Sequence, residues 1–328
     1  MLRLLVPLIR RLSRLGSALV VAGTLAGPAL ADATTPLVSP AWLKARLGSP
    51  DVVVVDVRSA IDGGGADAYE RGHIPTAVHS DYDKAGWRVT RNGIPFMLPT
   101  PSELEKLIGE LGIDEDIHVV VMPAGVHALD FGAAARIYWT LKAAGIAKVS
   151  ILDGGFAAWQ ADPANPIERG ANKPVPKIFT AVINRELIAE SSDVEQIGRG
   201  LKATLIDARP ASFYFGKEKV PAARAYGHIP GAISLDNEKF YDAAANRLKS
   251  PAELAALAAE IPAGPVMTYC NTGHWAATDW FVLSEILGRK DVKLYYGSMV
   301  DWTADVSRPL VSARTKWDDL KKTLGIGL

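Results

Sequence analysis

The chain has 328 residues, with 36 basic and 36 acidic side chains, one cysteine and a mean hydropathy of +0.10. Balanced charge leaves no basic footprint of the kind nucleic acid selects, and a lone cysteine excludes an intrachain disulfide. At roughly 100–200 residues per domain the length points to two domains, each large enough to bury a core.

The chain opens with Arg3, Arg10, Arg11 and Arg14, followed by an uncharged segment over residues 15–27 and by Ala29-Leu30-Ala31. Basic flank, apolar run and small-residue site together read as a secretory signal peptide, cleaved near Ala31. The apolar run is 13 residues long, short of the roughly 20 that span a membrane, so a stable membrane anchor is not expected. Cleavage would leave 32 basic and 36 acidic residues, a formal charge of −4. The expected location is the periplasm.

Beyond the signal, apolar strand-like runs alternate with helix-like stretches. Residues 52–57 are five valines and Asp56, closed by Arg58. Thr100-Pro101-Ser102-Glu103 carries a hydroxyl cap, a proline at the first helical position and an acid at the third, which predicts a helix start. Strand-like His118–Met122, a helix over 133–144 and strand-like Val149–Leu152 follow. Residues 161–177 hold Pro163, Pro166, Pro174 and Pro176 without periodicity, as a linker does.

The same series then begins again. Asp56-Val57-Arg58 recurs as Asp207-Ala208-Arg209, Gly72-His73-Ile74-Pro75 as Gly227-His228-Ile229-Pro230, and the capping box as Ser250-Pro251-Ala252-Glu253. The stretch from Asp153 to Trp159 answers to that from Tyr296 to Trp302. A repeat of this length is a duplicated domain. Apolar strands alternating with helices predict an α/β fold, each copy a mainly parallel sheet covered by helices. Ligands in such sheets sit beyond the carboxyl ends of the strands.

The one thiol stands at that edge. Cys270 follows the strand-like run 265–269 and precedes a helix-like stretch over 276–287, with Asn271, Thr272, Gly273, His274 and Trp275 between. Backbone N–H groups of such a loop, and the helix dipole, favour a thiolate, and Gly273 permits the loop to wrap an anion as a nest. A buried, inert cysteine is the bland alternative, but these neighbours are too polar for a core strand.

The ordered set of D-x-R strand end, G-H-I-P loop and cysteine-led loop before a helix resembles the tandem rhodanese-domain sulfurtransferases. The resemblance runs from about Pro36 to about Trp302. It implies two five-stranded rhodanese-like domains, a thiol-free one over 36–160 and a catalytic one over 181–320, joined by a linker at 161–180. Register against the second copy puts Met122 opposite Tyr269 and Pro123 at the cysteine position, with a loop over 123–132 read as about five residues longer.

By this resemblance Cys270 is the nucleophile. It would take sulfur from thiosulfate or 3-mercaptopyruvate as a persulfide and pass it to cyanide or a thiol, with neither metal nor organic cofactor. Asn271, Thr272, Gly273, His274, Trp275 and Arg209 are the expected substrate-binding residues. Two departures mark this chain: the loop lacks both the basic residues of thiosulfate-type members and the small neutral ones of mercaptopyruvate-type members, and Phe213 stands where a substrate-binding arginine is usual.

Other readings weigh less. Cysteine-dependent phosphatases share the fold but need an arginine six residues after the cysteine, where Ala276 stands. His73 and His228, and the Asp56–Arg58 and Asp207–Arg209 pairs, occur in both copies, which favours structural roles. Trp159 and Trp302 read as core anchors, and Lys217, Lys219 and Arg224 as a solvated basic patch. A different class of function is a periplasmic sulfur- or partner-binding module, in which the thiol-free copy and its longer loop dock another protein.

Overall fold

The computed structural model describes residues 34–314. The expected signal peptide and its cleavage near Ala31 lie outside the described residues. In the first copy five parallel strands, β1 (Leu37–Val38), β2 (Val52–Asp56), β3 (Val78–His79), β4 (His118–Met122) and β5 (Val149–Leu152), lie in the order β1-β5-β4-β2-β3. The second copy repeats this with β6 (Ile188–Ala189), β7 (Thr204–Asp207), β8 (Ile233–Ser234), β9 (Val266–Tyr269) and β10 (Val292–Tyr295), ordered β8-β7-β9-β10-β6. Asp56 pairs in register with Met122, and Asp207 with Tyr269. The carboxyl end of β9 is thus the counterpart of that of β4, with Pro123 and Cys270 next in line.

Both capping boxes form. Thr100 accepts from the Glu103 N–H and starts α1 (Pro101–Glu110), and Ser250 accepts from the Glu253 N–H and starts α3 (Pro251–Ala258). The two D-x-R pairs are also alike: each arginine clasps its aspartate through Nε and Nη2 and gives Nη2 to the carbonyl of the glycine before the histidine, Gly72 or Gly227, at 2.8 Å. His73 and His228 each stack on a tyrosine and pair through Nδ1 with its carbonyl oxygen. Trp159 and Trp302 are buried, each donating Nε1–H to a proline carbonyl at 3.0 Å.

One expectation is overturned. The loop after Pro123 is not longer than its counterpart, because α2 (Ala128–Ala144) begins five residues after Pro123, just as α4 (Trp275–Trp280) begins five after Cys270. Residues 128–132, read as loop, are helix. His127 caps the helix by accepting the Asp130 N–H, and the Asp130 carboxylate takes the N–H groups of Gly125 at 2.5 Å, Val126 at 3.0 Å and His127 at 3.2 Å.

Helix α2 is buried on nearly every side, from Asp130 through Leu141 without a break. A helix apolar all round belongs inside a protein rather than on its surface. It packs against α4 of the other copy and the helical turns over Phe281–Ile286 that continue it, with the Tyr138 ring 4.9 Å from Phe281 and its hydroxyl donating to Glu285 at 2.6 Å. A single hydrophobic cluster therefore runs through both copies, from Val55 to Leu294. No helix among the described residues is long and apolar enough to cross a membrane.

Candidate active site

Cys270 directly follows β9 and is buried. Its loop is braced from behind by α5 (Ser298–Trp302), the counterpart of the segment after β5. Cys270 N–H donates to Ser298 Oγ at 3.0 Å, and that hydroxyl donates to the Tyr295 carbonyl. Met299 N–H returns to the Cys270 carbonyl at 3.1 Å and Val300 N–H to that of Asn271 at 3.0 Å. Ser298 adopts a left-handed φ of +52° to reach this position, a conformation that side chains other than glycine rarely take and that the surrounding bonds must hold.

Within the loop, the N–H groups of Asn271, Thr272, Gly273 and His274 donate to no other group among the described residues. In the thiol-free copy, three N–H groups of the corresponding loop close on the Asp130 carboxylate. The position that matches Asp130 is Ala277, which offers no acceptor. The same loop design thus holds an internal anion in one copy and keeps its donors unclaimed beside a sulfur in the other. Oriented backbone donors of this kind stabilise a thiolate or a persulfide anion.

The cleft above the sulfur has a volume of about 170 Å³ and is lined by Cys270, Asn271, Thr272, His274 and Trp275, with Val220 and, from the first copy, Ile61, Arg88 and Leu129. Of the expected site residues, Gly273 does not line the cleft; its φ is +72°, and a Cβ there would meet the Tyr296 backbone and Arg136. Arg209 also lies behind the loop: its guanidinium is committed to Asp207 and Gly227, and only Nη1 reaches forward, 3.4 Å from Asn271 Oδ1. It braces the loop instead of facing the cleft. Phe213 packs edge-on against Trp275, with centroids 5.6 Å apart, so an aromatic pair stands where a cation was sought. Lys219 is tied to the Val220 and Ala223 carbonyls and Arg224 to that of Ala304.

The thiol-free copy supplies side chains that the sequence did not reveal. The Tyr82 hydroxyl meets His274 Nδ1 at 2.7 Å, with both side chains buried. Burial, with the nearby charges of Arg88 and Arg136 adding to it, pushes the imidazole down to about 3, so His274 is neutral at physiological pH. Arg136 on α2 donates from Nη1 to the Thr272 carbonyl at 3.2 Å, and burial draws its own pKa down to about 10. Gly132 leaves room for the imidazole: a Cβ there would lie 2.9 Å from His274 Nε2.

One buried acid on α4 bears on stability. Asp279 has neither carboxylate oxygen partnered, and burial, reinforced by Asp236 and Asp207, holds its pKa well above the ordinary value. The folded form keeps the proton while the unfolded chain releases it above pH ~4, so stability falls by about 1.4 kcal/mol per pH unit until the folded group ionises. Asp279→Asn is expected to gain on the parent as pH rises above ~4, and urea unfolding at pH 5, 6, 7 and 8 checks it. A difference that does not grow with pH would contradict the neutral-acid assignment.

The comparisons agree with this architecture. The Rhodanese-like domain family matches residues 39–162 and 190–305. The 3-mercaptopyruvate sulfurtransferase of Escherichia coli K12 is 32% identical over 286 residues, covering 84% of this chain and 98% of the relative. The thiosulfate sulfurtransferase of Pseudomonas aeruginosa is 33% identical over 270 residues, covering 81% and 93%. A crystal structure of the E. coli mercaptopyruvate enzyme superposes with a TM-score of 0.69 at 32% identity, over 81% of this chain and 99% of that one. The anaerobic ergothioneine biosynthesis enzyme of Chlorobium limicola, at 22% identity, covers 85% of this chain and 71% of its own with a TM-score of 0.71, and shares the fold. With both halves matched and about a third of its residues shared with named sulfurtransferases along most of its length, the chain belongs to the rhodanese family and is a sulfurtransferase of the two-domain kind.

Proposed function

We propose that Cys270 carries sulfur as a persulfide, loaded from thiosulfate or 3-mercaptopyruvate and unloaded to cyanide or a thiol. The observation that carries this is the contrast between the two loops, one closed on the Asp130 carboxylate, the other with its donors unclaimed beside Cys270. With thiosulfate, the Cys270 thiolate attacks the outer sulfur, the S–S bond of the donor breaks and sulfite leaves with the electron pair. With 3-mercaptopyruvate the C–S bond breaks, the pair goes to carbon as an enolate, and a proton completes pyruvate. Attack of cyanide on the outer persulfide sulfur gives thiocyanate and returns the thiolate. Neutral His274 supplies shape to the cleft rather than charge, and Trp275, with Phe213 packed edge-on against it, forms part of its wall.

Intact mass of the purified protein after incubation with each donor tests the reading. The expected result is a gain of one sulfur that cyanide removes and that Cys270→Ser lacks. No gain with either donor would refute it. The docking-module reading drew on a longer loop in the first copy, and that stretch is the start of α2. Export to the periplasm is part of the same proposal, supported by the leader-like first 31 residues.

A further inference from the structure

The cleft beside Cys270 contains one permanently charged side chain, and it comes from the other copy. Arg88 precedes a hairpin, Val89–Arg91 paired with Ile94–Met97, and lines the cleft with the sulfur loop. Its side chain is nine-tenths buried, laid over the rings of Tyr82 at 4.0 Å and Phe96 at 5.0 Å. Nη2 donates to Asp83 Oδ1 at 2.8 Å, whereas Nε is buried with no partner. An unpartnered donor of a buried guanidinium costs stability unless a ligand completes it.

The other cations nearby do not reach the cleft. Arg209 is clasped by Asp207 behind the loop; Arg136 is held by Nη1 on the Thr272 carbonyl, with Nε and Nη2 buried and unpartnered, but it does not line the cleft. Every donor of the proposed class is an anion, so its charge must be met somewhere in the cleft. We infer that Arg88 of the thiol-free copy is the residue that holds the anionic end of the donor while Cys270 takes its sulfur. This rests on the persulfide reading above and adds to it the side chain that selects the donor.

The arrangement also ranks the donors. Arg88 already shares its charge with Asp83, no second cation lines the cleft, and the volume of about 170 Å³ lies below that of a drug-sized site. One partly neutralised guanidinium matches a single carboxylate, whose planar oxygens suit its donors. A sulfonate-like dianion would retain an unmatched charge in an apolar, partly desolvated cleft. The donor favoured by this site is the mercapto-carboxylate.

Two reagents that alkylate thiols separate charge recognition from chemistry. Iodoacetate carries a carboxylate and iodoacetamide is its neutral counterpart. In the full chain, Arg88→Met is expected to slow the reaction of Cys270 with iodoacetate about tenfold or more and to leave iodoacetamide within about twofold, the scale of one charge-assisted hydrogen bond. Arg88→Lys should recover part of the loss. With 3-mercaptopyruvate, Arg88→Met should raise KM about 10- to 100-fold with kcat much less changed, and the parent should prefer this donor to thiosulfate in kcat/KM.

Equal slowing of both reagents in Arg88→Met and Arg88→Lys would show a structural role and overturn the inference. An unchanged iodoacetate rate and KM would do the same, and a parent preference for thiosulfate would overturn the ranking. If the parent takes sulfur from no donor, the persulfide reading fails, while the iodoacetate-to-iodoacetamide ratio still reports on Arg88. If it takes sulfur normally but that ratio ignores Arg88, this inference fails alone.

Discussion

Acidification from pH 7 to pH 3 is expected to remove about 4 kcal/mol of stability through His274 alone. The folded imidazole stays neutral down to about 3, since it is buried against Tyr82 and Gly132 with two arginines nearby. In the unfolded chain the same ring takes up a proton below about 6.5. Between these values the unfolded state binds more protons, so the stabilisation is complete above ~6.5 and is lost as pH falls toward about 3, by about 1.4 kcal/mol per pH unit. His274→Gln keeps a polar, uncharged side chain and has no such titration. Urea unfolding of both proteins at matched pH isolates the contribution, because the carboxylates that also titrate are common to both. The parent should lose ground to the variant steadily below pH ~6.5. Parallel curves across that range would show that His274 accepts a proton in the folded state.

Gly273→Ala is expected to abolish most turnover. A Cβ at this position would lie 2.5 Å from the Tyr296 carbonyl oxygen and 2.9 Å from its Cα, with Arg136 Nη1 also in its path, and φ is +72°. The clash is with backbone held by β10 and α5, which cannot rotate aside as a side chain can. The loop must move, and a shift of about 1 Å in a reacting group costs about 100-fold in rate. The associated strain is on the order of 2–4 kcal/mol of stability. Gly231→Ala is the control, because Gly231 also has positive φ (+80°) but nothing within 4 Å of a Cβ. It should cost about 1 kcal/mol and leave kcat/KM near the parent value. Thermal unfolding together with kcat/KM for both variants decides the matter, and a Gly273→Ala protein with near-parent activity would disprove the packing argument.

The features legible in the sequence were those written in local pattern. Four valines before Asp56 and the apolar run before Cys270 announced parallel strands, because strands buried on both faces need no alternation. Thr100 and Ser250 declared their helices through the spacing of hydroxyl, proline and glutamate. The start of α2 was missed because its cap is a histidine with an aspartate three residues on, outside the preferred capping residues. Asp130 looked like one more polar loop residue, although its carboxylate organises the loop before it. Tyr82, Arg88 and Arg136 could not be read at all as site residues, because they reach Cys270's loop across separations as large as 192 positions. The Asn92-Gly93 pair, both at positive φ, signals the hairpin that Arg88 precedes. Nothing local says that the arginine before this hairpin lines the cleft of the other copy.

The helix from Ala128 to Ala144 is interior to the whole molecule rather than to the copy that encodes it. Cutting the chain at its proline-rich linker would strip the sulfur loop of the Arg136 donor, the Tyr82 hydroxyl and the wall that Gly132 forms around His274. It would also expose an apolar helix with no water-facing side. Two genes' worth of sequence therefore make one indivisible object. The copy that lacks a thiol serves as the mould in which its twin's loop is held.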